Sequence, residues 1–233
     1  MTAHNSRRGT PDLTDSFDID ASLFMRVRRA INRESVRYCL NGVLIQPIDA
    51  GGAWMVATDG HLMIVARDRS AVVPRPAVID LTLTEAPPPD PRDCDQCNCA
   101  LMPVDYFNSR LAFDVAPGGR TVAAFKSHAE WHHGIANDLD CADKFPDWRT
   151  VWVTGGVPKE PRKGHVAYGL DPRLLERLCD NESLILTSTG KGKAVAVAIA
   201  GQPDIAALIM PTDCTDAGGA ELIAELLAME TKA

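Results

Sequence analysis

Cys94, Cys97 and Cys99, spaced Cys-x-x-Cys-x-Cys, are the residues most able to do chemistry, with His128, His132, His133 and Cys141 further along the chain. Thiolate and imidazole hold zinc in tetrahedral sets, so the cluster reads as a metal site that a fourth ligand would close. The second paired spacing of a zinc ribbon is missing, and prolines and acids flank the segment, which suits an exposed cysteine loop instead. His132, His133 and Asp143 offer a zinc-dependent hydrolase as the enzymatic reading. Such a centre needs rigid elements and a nearby general base, and these residues fall where no helix or strand period is evident. The sequence has no glycine-rich phosphate loop, no Gly-x-Ser-x-Gly and no His-Glu-x-x-His. Neither catalysis nor a cofactor is expected.

Cations form a second pattern. Arg26, Arg29 and Arg33 share one arc of a helix, and Leu23, Val27 and Ile31 share another; Arg173 and Arg177 stand four apart, away from Leu174, Leu175 and Leu178. Taken alone, such a stripe reads as the solvated face of a surface helix. The formal net charge is −7, so nucleic-acid contact would have to come from a local patch.

The elements that must position these groups repeat. Three segments each run from a short apolar strand into a helix and then into further strands. The first has a strand at 17–20, a helix through Leu23, Phe24, Val27 and Ile31, and strands at 38–45, 54–58 and 62–66. In the second, Val72-Val73-Pro74 leads into a helix through Val78, Ile79 and Leu81, with strands at 110–115 and 121–125 across Pro117-Gly118-Gly119. The third has a strand at 166–170, a helix that Asp171-Pro172 starts, and strands at 184–187, 194–199 and 205–210. Hairpins each preceded by one helix predict an α+β fold, with antiparallel sheets and helices packed on one face.

The 233 residues, 45% of them hydrophobic and 24% charged, suit a soluble protein with room for one large domain or two small ones. No apolar run approaches a membrane span, and the N-terminus lacks the apolar stretch of a signal peptide. The odd count of seven cysteines fits a reducing compartment, and the cytoplasm is expected. Residues 1–15 read as a flexible tail, and Pro87-Pro88-Pro89-Asp90-Pro91 opens an inserted loop at about 85–105. Leu222, Ile223, Leu226 and Leu227 give the tail at 216–233 the pattern of a short amphipathic helix.

Four motifs, in this order, resemble signatures of the bacterial sliding clamp, the β subunit of DNA polymerase III. A strand and helix from Phe17 to Ile31 come first. Arg37-Tyr38-Cys39-Leu40-Asn41-Gly42 with Ala57-Thr58-Asp59-Gly60-His61 follows, then Phe145-Pro146-Asp147-Trp148-Arg149, then Ile209-Met210-Pro211. The resemblance implies a DNA-clamp-like fold, with one clamp domain at 16–155 and half of another at 156–215. It implies a pocket for short linear peptides of DNA polymerase or repair partners, lined by Leu40, Thr58, Gly60, His61, Leu62, Met63, Pro146, Thr150, Val151, Leu208, Met210 and Pro211. It also implies nonspecific contact of Arg26, Arg29, Arg33, Arg173 and Arg177 with double-stranded DNA, and a non-enzymatic role as a processivity factor. Leu62-Met63 replaces the family's usual Arg-Leu, which removes a cation from the rim. The family builds each chain from three domains of two units each, whereas three units are legible here. The resemblance implies a homo-oligomer without fixing whether it closes into a ring, and a relative that keeps the pocket without a ring, as a decoy or adaptor, is the alternative.

Overall fold

The computed structural model describes residues 15–31, 36–83, 110–127, 130–154, 169–178, 180, 182–188 and 193–211. The tail before residue 15, Arg33, the insertion at 85–105 with its cysteines, His128 and the C-terminal tail lie outside them, as does most of the strand expected at 166–170.

Strand β1 (Asp15–Asp20) buries Phe17 and Ile19 and leaves the residues between them partly exposed, the period of two that a strand imposes. Asp20 ends the strand and caps α1 (Ala21–Arg28). Its Oδ1 accepts the Leu23 N–H at 2.9 Å, while its own N–H donates to Asp68 Oδ2 at 2.7 Å. Phe24 and Val27 of α1 are fully buried.

A strand is expected from residue 38, but Tyr38–Leu40 forms a 3-10 turn and β2 (Val43–Pro47) begins only after Gly42. Local bonds from Leu40 N–H to Arg37 O (2.8 Å) and Asn41 N–H to Tyr38 O (3.0 Å) take the backbone away from a ladder. At Gly42 the chain passes so close to its neighbour that a Cβ would stand 2.8 Å from Val78 Cγ1. Strands β3 (Ala53–Thr58) and β4 (Leu62–Asp68) complete the first meander.

The helix expected through Val78, Ile79 and Leu81 is strand β5 (Ala77–Leu83). All three residues are closed to solvent; Val78 and Ile79 enter opposite cores, and Ile79-Asp80-Leu81-Thr82 then alternates buried with more open positions, the period of two that a strand imposes. Strands β6 (Arg110–Val115), β7 (Arg120–Ser127) and β8 (Glu130–Asp138) follow. β8 had no sequence signal; pairing to β7 on one side and β5 on the other holds a polar segment extended. After a 3-10 turn at Ala142–Lys144 comes the short helix α2 (Trp148–Thr154), also unforeseen, with the Asp147 carboxylate accepting the Arg149 and Thr150 N–H groups at 3.2 and 3.3 Å. Helix α3 (Pro172–Glu176) starts at the expected Asp171 cap but stops short of Leu178. Strands β9 (Leu184–Ser188), β10 (Val195–Ile199) and β11 (Ile205–Ile209) form the last meander.

All eleven strands among the described residues join one antiparallel sheet in the order β1-β6-β7-β8-β5-β2-β3-β4-β11-β10-β9. Asp18 and Val72 exchange backbone hydrogen bonds at 2.8 and 3.0 Å, which brings the chain after β4 back to the free side of β1. Alternation sorts the side chains into two cores. The larger holds Phe17, Ile45, Met55, Ile64, Val197 and Ile209 with α1; the smaller, on the other face, holds Leu44, Val56, Met63, Val65 and Leu208 with Phe145 and Trp148. The α+β expectation with antiparallel sheets is met.

Two arginines tie β1 and β6 to β4 and β8. Arg110 bonds Asp18 Oδ1 at 2.8 Å and Asp68 Oδ2 at 3.0 Å. Arg75 joins Asp15, the buried Asp138 (2.7 Å) and the Val115 carbonyl (3.2 Å), and lies over the Phe17 ring, itself stacked on Phe113.

Candidate functional site

On the face of the smaller core, register alone lines up Thr58 of β3, Met63 of β4 and Leu208 of β11 in one cross-strand row. At the end of that row the chain turns through Asp59-Gly60-His61. Thr58 Oγ1 accepts the Gly60 N–H at 3.0 Å, and Asp59 Oδ1 accepts the N–H groups of His61 and Leu62, each at 2.8 Å. Gly60 has φ +93°, which favours glycine, and a Cβ there would meet nothing within 4 Å, so open space lies over the turn. Where β11 ends, the Met210 N–H donates to the His61 carbonyl at 2.8 Å. Two motifs from opposite ends of the sequence are thereby bonded.

The residues expected to line a pocket divide into three groups. Leu40, Met63 and Leu208 form a closed floor, each 4 to 5% exposed, with Thr58 also buried at its edge. Gly60, His61 and Met210 are exposed at the rim, with Pro211 partly covered. Pro146, Thr150 and Val151 sit on the segment whose Phe145 and Trp148 enter the same core, and Val151 is 42% exposed. Leu62 does not join them: one position from Met63, it points into the larger core.

Aromatic residues next to the expected positions complete this face. Trp148 lies 5.6 Å from Trp54, donates Nε1–H to Gln46 Oε1 at 3.3 Å, and carries the Arg149 guanidinium 4.4 Å above its ring. Arg149 donates to the same Gln46 oxygen at 2.8 Å. The signal was available for Trp54, which shares the alternation of Val56 and Thr58. Cys39 and Cys141 are buried reduced thiols here, and burial together with the nearby Cys39 pushes the Cys141 thiol up to about 11. Lys144 Nζ donates to the Tyr38 hydroxyl at 2.9 Å, linking the two 3-10 turns.

The arginines in α1 and α3 and at their C-caps do not form a bare stripe. Arg26 is 8% exposed and bonds Glu182 at 2.5 Å; Arg29 makes two bonds of 2.8 Å to Asp180. The acids of the 180–182 segment draw both guanidinium groups across the gap to the third unit. Arg177 donates Nε–H to the Arg29 carbonyl at 2.7 Å and Nη1–H to Asp59 Oδ2 at 2.6 Å, so one side chain spans α1 and the rim turn. Burial alone would raise the Asp59 carboxyl, but bonds from Leu62 N–H, Arg177 and His61 N–H hold it below its ordinary range. Arg173 is exposed and pairs with Asp171 at 2.8 Å. His132 and His133 lie in β8 and Asp143 in the 3-10 turn after it. Among the described residues no helix is long and apolar enough to cross a membrane.

No family model and no curated protein sequence matches this chain. Solved structures do. The Helicobacter pylori β clamp, bound to a DNA ligase peptide, aligns over 85% of this chain and 65% of its own at 11% identity, with a TM-score of 0.54. Caulobacter crescentus polymerase III β aligns over 88% and 67% at 16% identity, TM-score 0.55. The Bartonella birtlesii sliding clamp, bound to griselimycin, aligns over 90% and 69% at 13% identity, TM-score 0.54. The chain thus spans about two thirds of the length of these clamps. Its fold is that of the bacterial DNA polymerase III β sliding clamp.

Proposed function

We propose that this protein is a non-enzymatic, clamp-like accessory factor of the cytoplasm that receives short linear peptides of DNA polymerase or repair partners where β4, β11 and the 145–151 segment meet. The carrying observation is the Met210 to His61 bond beside the Thr58–Met63–Leu208 row, which joins an apolar floor to an open rim. Leu40, Met63 and Leu208 supply the floor. Met210, Val151 and Pro146 supply adaptable apolar contact, and Gly60 and His61 leave room and polarity for a peptide backbone. We read residues 16–155 as one clamp-like domain and 156–215 as half of another.

Processivity on double-stranded DNA is the fuller form of the proposal, with Arg29, Arg173 and neighbouring cations meeting phosphates without reading bases. The ion pairs of Arg26, Arg29 and Arg177 favour a second reading, an adaptor that binds peptides without tracking DNA. A labelled clamp-binding peptide of a DNA polymerase, followed by fluorescence anisotropy, tests the peptide site. Saturable binding is expected, weakened roughly tenfold by Met210→Ala and unchanged by Val122→Ala on distant β7. Absence of saturable binding, or equal affinity in Met210→Ala, overturns it. Titration with duplex DNA at two salt concentrations separates the two forms, since phosphate contacts weaken steeply with salt.

A further inference from the structure

The face that carries the Thr58–Met63–Leu208 row continues beyond it. Alternation leads from Thr58 down β3 to Val56 and Trp54, and from Met63 down β4 to Val65 and Arg67, so a row Gln46–Trp54–Arg67 crosses the foot of the same face. The two rows stand four residues apart, about 13 Å along the strands. Beside them β11 presents Leu208 and then the partly exposed Ala206, which β10 pairs with the exposed Ala198. Alanine at both positions keeps the surface low between the apolar floor and Arg67.

Arg67 is the unusual member of its row. Its guanidinium lies 5.6 Å from the centre of the Trp54 ring, and its Nε is closed to water with no hydrogen-bond partner. The acids beside it in the sheet are engaged elsewhere. The Asp204 carbonyl accepts the Arg67 N–H at 2.9 Å, but the Asp204 carboxylate takes Arg69 Nε–H at 3.0 Å. Asp68 faces the other way, where Arg110 and the Asp20 N–H hold it. Among the described residues no carboxylate pairs with Arg67, whereas Arg26, Arg29, Arg75, Arg110 and Arg177 each have one. Arg149 also stacks on a tryptophan, but it is bonded to Gln46 on the β2 side, away from β11. A guanidinium fixed on a ring and left without an anion is a preformed place for one.

We propose that Arg67 is an acid-reading subsite: it receives an Asp or Glu side chain of the bound peptide, about four residues from the apolar residue on the Met63–Leu208 floor. It thereby sets which linear peptides this chain prefers. The proposal rests on the peptide site above and adds to it the acidic character of the ligand. An extended chain of four residues covers the gap between the two rows. Stacking on Trp54 orders the guanidinium before the acid arrives, so less entropy is lost on binding. The chain as a whole carries −7, which disfavours acidic ligands elsewhere on its surface and leaves this local cation to select them.

Fluorescence anisotropy of matched peptides with the full chain tests it. The clamp-binding polymerase peptide is extended at one end or the other by four residues that finish in Glu-Glu, with Gln-Gln as the neutral match. One acidic extension should bind about fivefold more tightly than its match, the scale of one partly shielded ion pair. Arg67→Gln should remove that preference and leave the neutral peptide's affinity unchanged, whereas a merely structural role would weaken both peptides alike. Arg120→Gln, exposed on distant β7, should preserve it. Should Arg67→Gln lose its native circular dichroism, Arg67→Met, which keeps an apolar stem on Trp54, decides by the same ratio. Equal affinity for acidic and neutral peptides at both ends, a preference that survives loss of the Arg67 charge, or one lost in Arg120→Gln overturns the subsite. Neutral binding that Met210→Ala still weakens then leaves the peptide site standing, whereas no saturable binding of any peptide removes both readings.

Discussion

Replacing Arg177 by alanine should loosen the turn at the site without touching its apolar floor. The guanidinium makes two bonds, 2.6 Å to Asp59 and 2.7 Å to the Arg29 carbonyl, and the Asp59 side chain is 9% exposed. A charge-assisted bond contributes about 1.5 to 3 kcal/mol, and stranding a buried charge costs about 3 to 5 kcal/mol. Asp59 keeps its bonds from the His61 and Leu62 N–H groups, and Arg177 is 30% exposed, so the lower range applies. The expected loss is about 2 kcal/mol, or a fall of roughly 4 to 8 °C in melting temperature for a chain of this size. Thermal melts at neutral pH, with Asp59→Asn and the double variant, give the coupling directly. Arg173→Ala, which removes only an exposed pair, should leave the melt unchanged. Equal effects of the two arginine variants, or additive effects of Arg177→Ala and Asp59→Asn, refute the idea that this latch holds the rim.

Three further outcomes follow from the packing. Arg75→Met strands Asp138, whose side chain is 1% exposed, and should cost about 3 to 5 kcal/mol in urea unfolding. Gly42→Ala drives a methyl group against Val78 and the Ile79 backbone and should cost about 1 to 3 kcal/mol by the same assay. Asp59 and Glu182 are both held below their ordinary range, in each case against burial, by hydrogen bonds that include those of Arg177 and Arg26. Their contribution to stability is present at neutral pH and is lost as pH falls through the folded-state values, beneath the ordinary carboxylate range of about 4. Asp20, pushed up by burial and by Asp68, works the other way. The urea midpoint should drop on acidification, and less steeply in Asp59→Asn; an unchanged slope contradicts the assignment.

Motifs that carry strong local chemistry were legible in the sequence. Asp171 caps a helix, Gly60 takes the left-handed turn, and alternation in 54–58 and 205–209 places side chains on the correct faces. Failures came where tertiary pairing overrides local pattern. Val78 and Ile79 are adjacent apolar residues that enter opposite cores, which interrupts the alternation that Ile79-Asp80-Leu81-Thr82 carries, and β8 is a strand because β5 and β7 flank it. At the site, one position separates Met63 from Leu62 and sends the second into the other core, which a motif carried over as a block could not express. Arg26 lies in α1 and Arg173 in α3, whereas Arg29 and Arg177 stand at the C-caps and Arg33 lies outside the described residues; the acidic partners of Arg26 and Arg29 at 180 and 182 lie far along the chain, and helical periodicity cannot show them.

The central claim is that a peptide is received where His61 and Met210 meet. Amide chemical-shift mapping of the isotopically labelled protein, titrated with a clamp-binding polymerase peptide, tests it most directly. The account predicts saturable shifts at Gly60, His61, Met210 and Val151, with none at Val122 or Ile185. Saturable shifts centred elsewhere, with the amides of Gly60, His61 and Met210 unmoved, would contradict it.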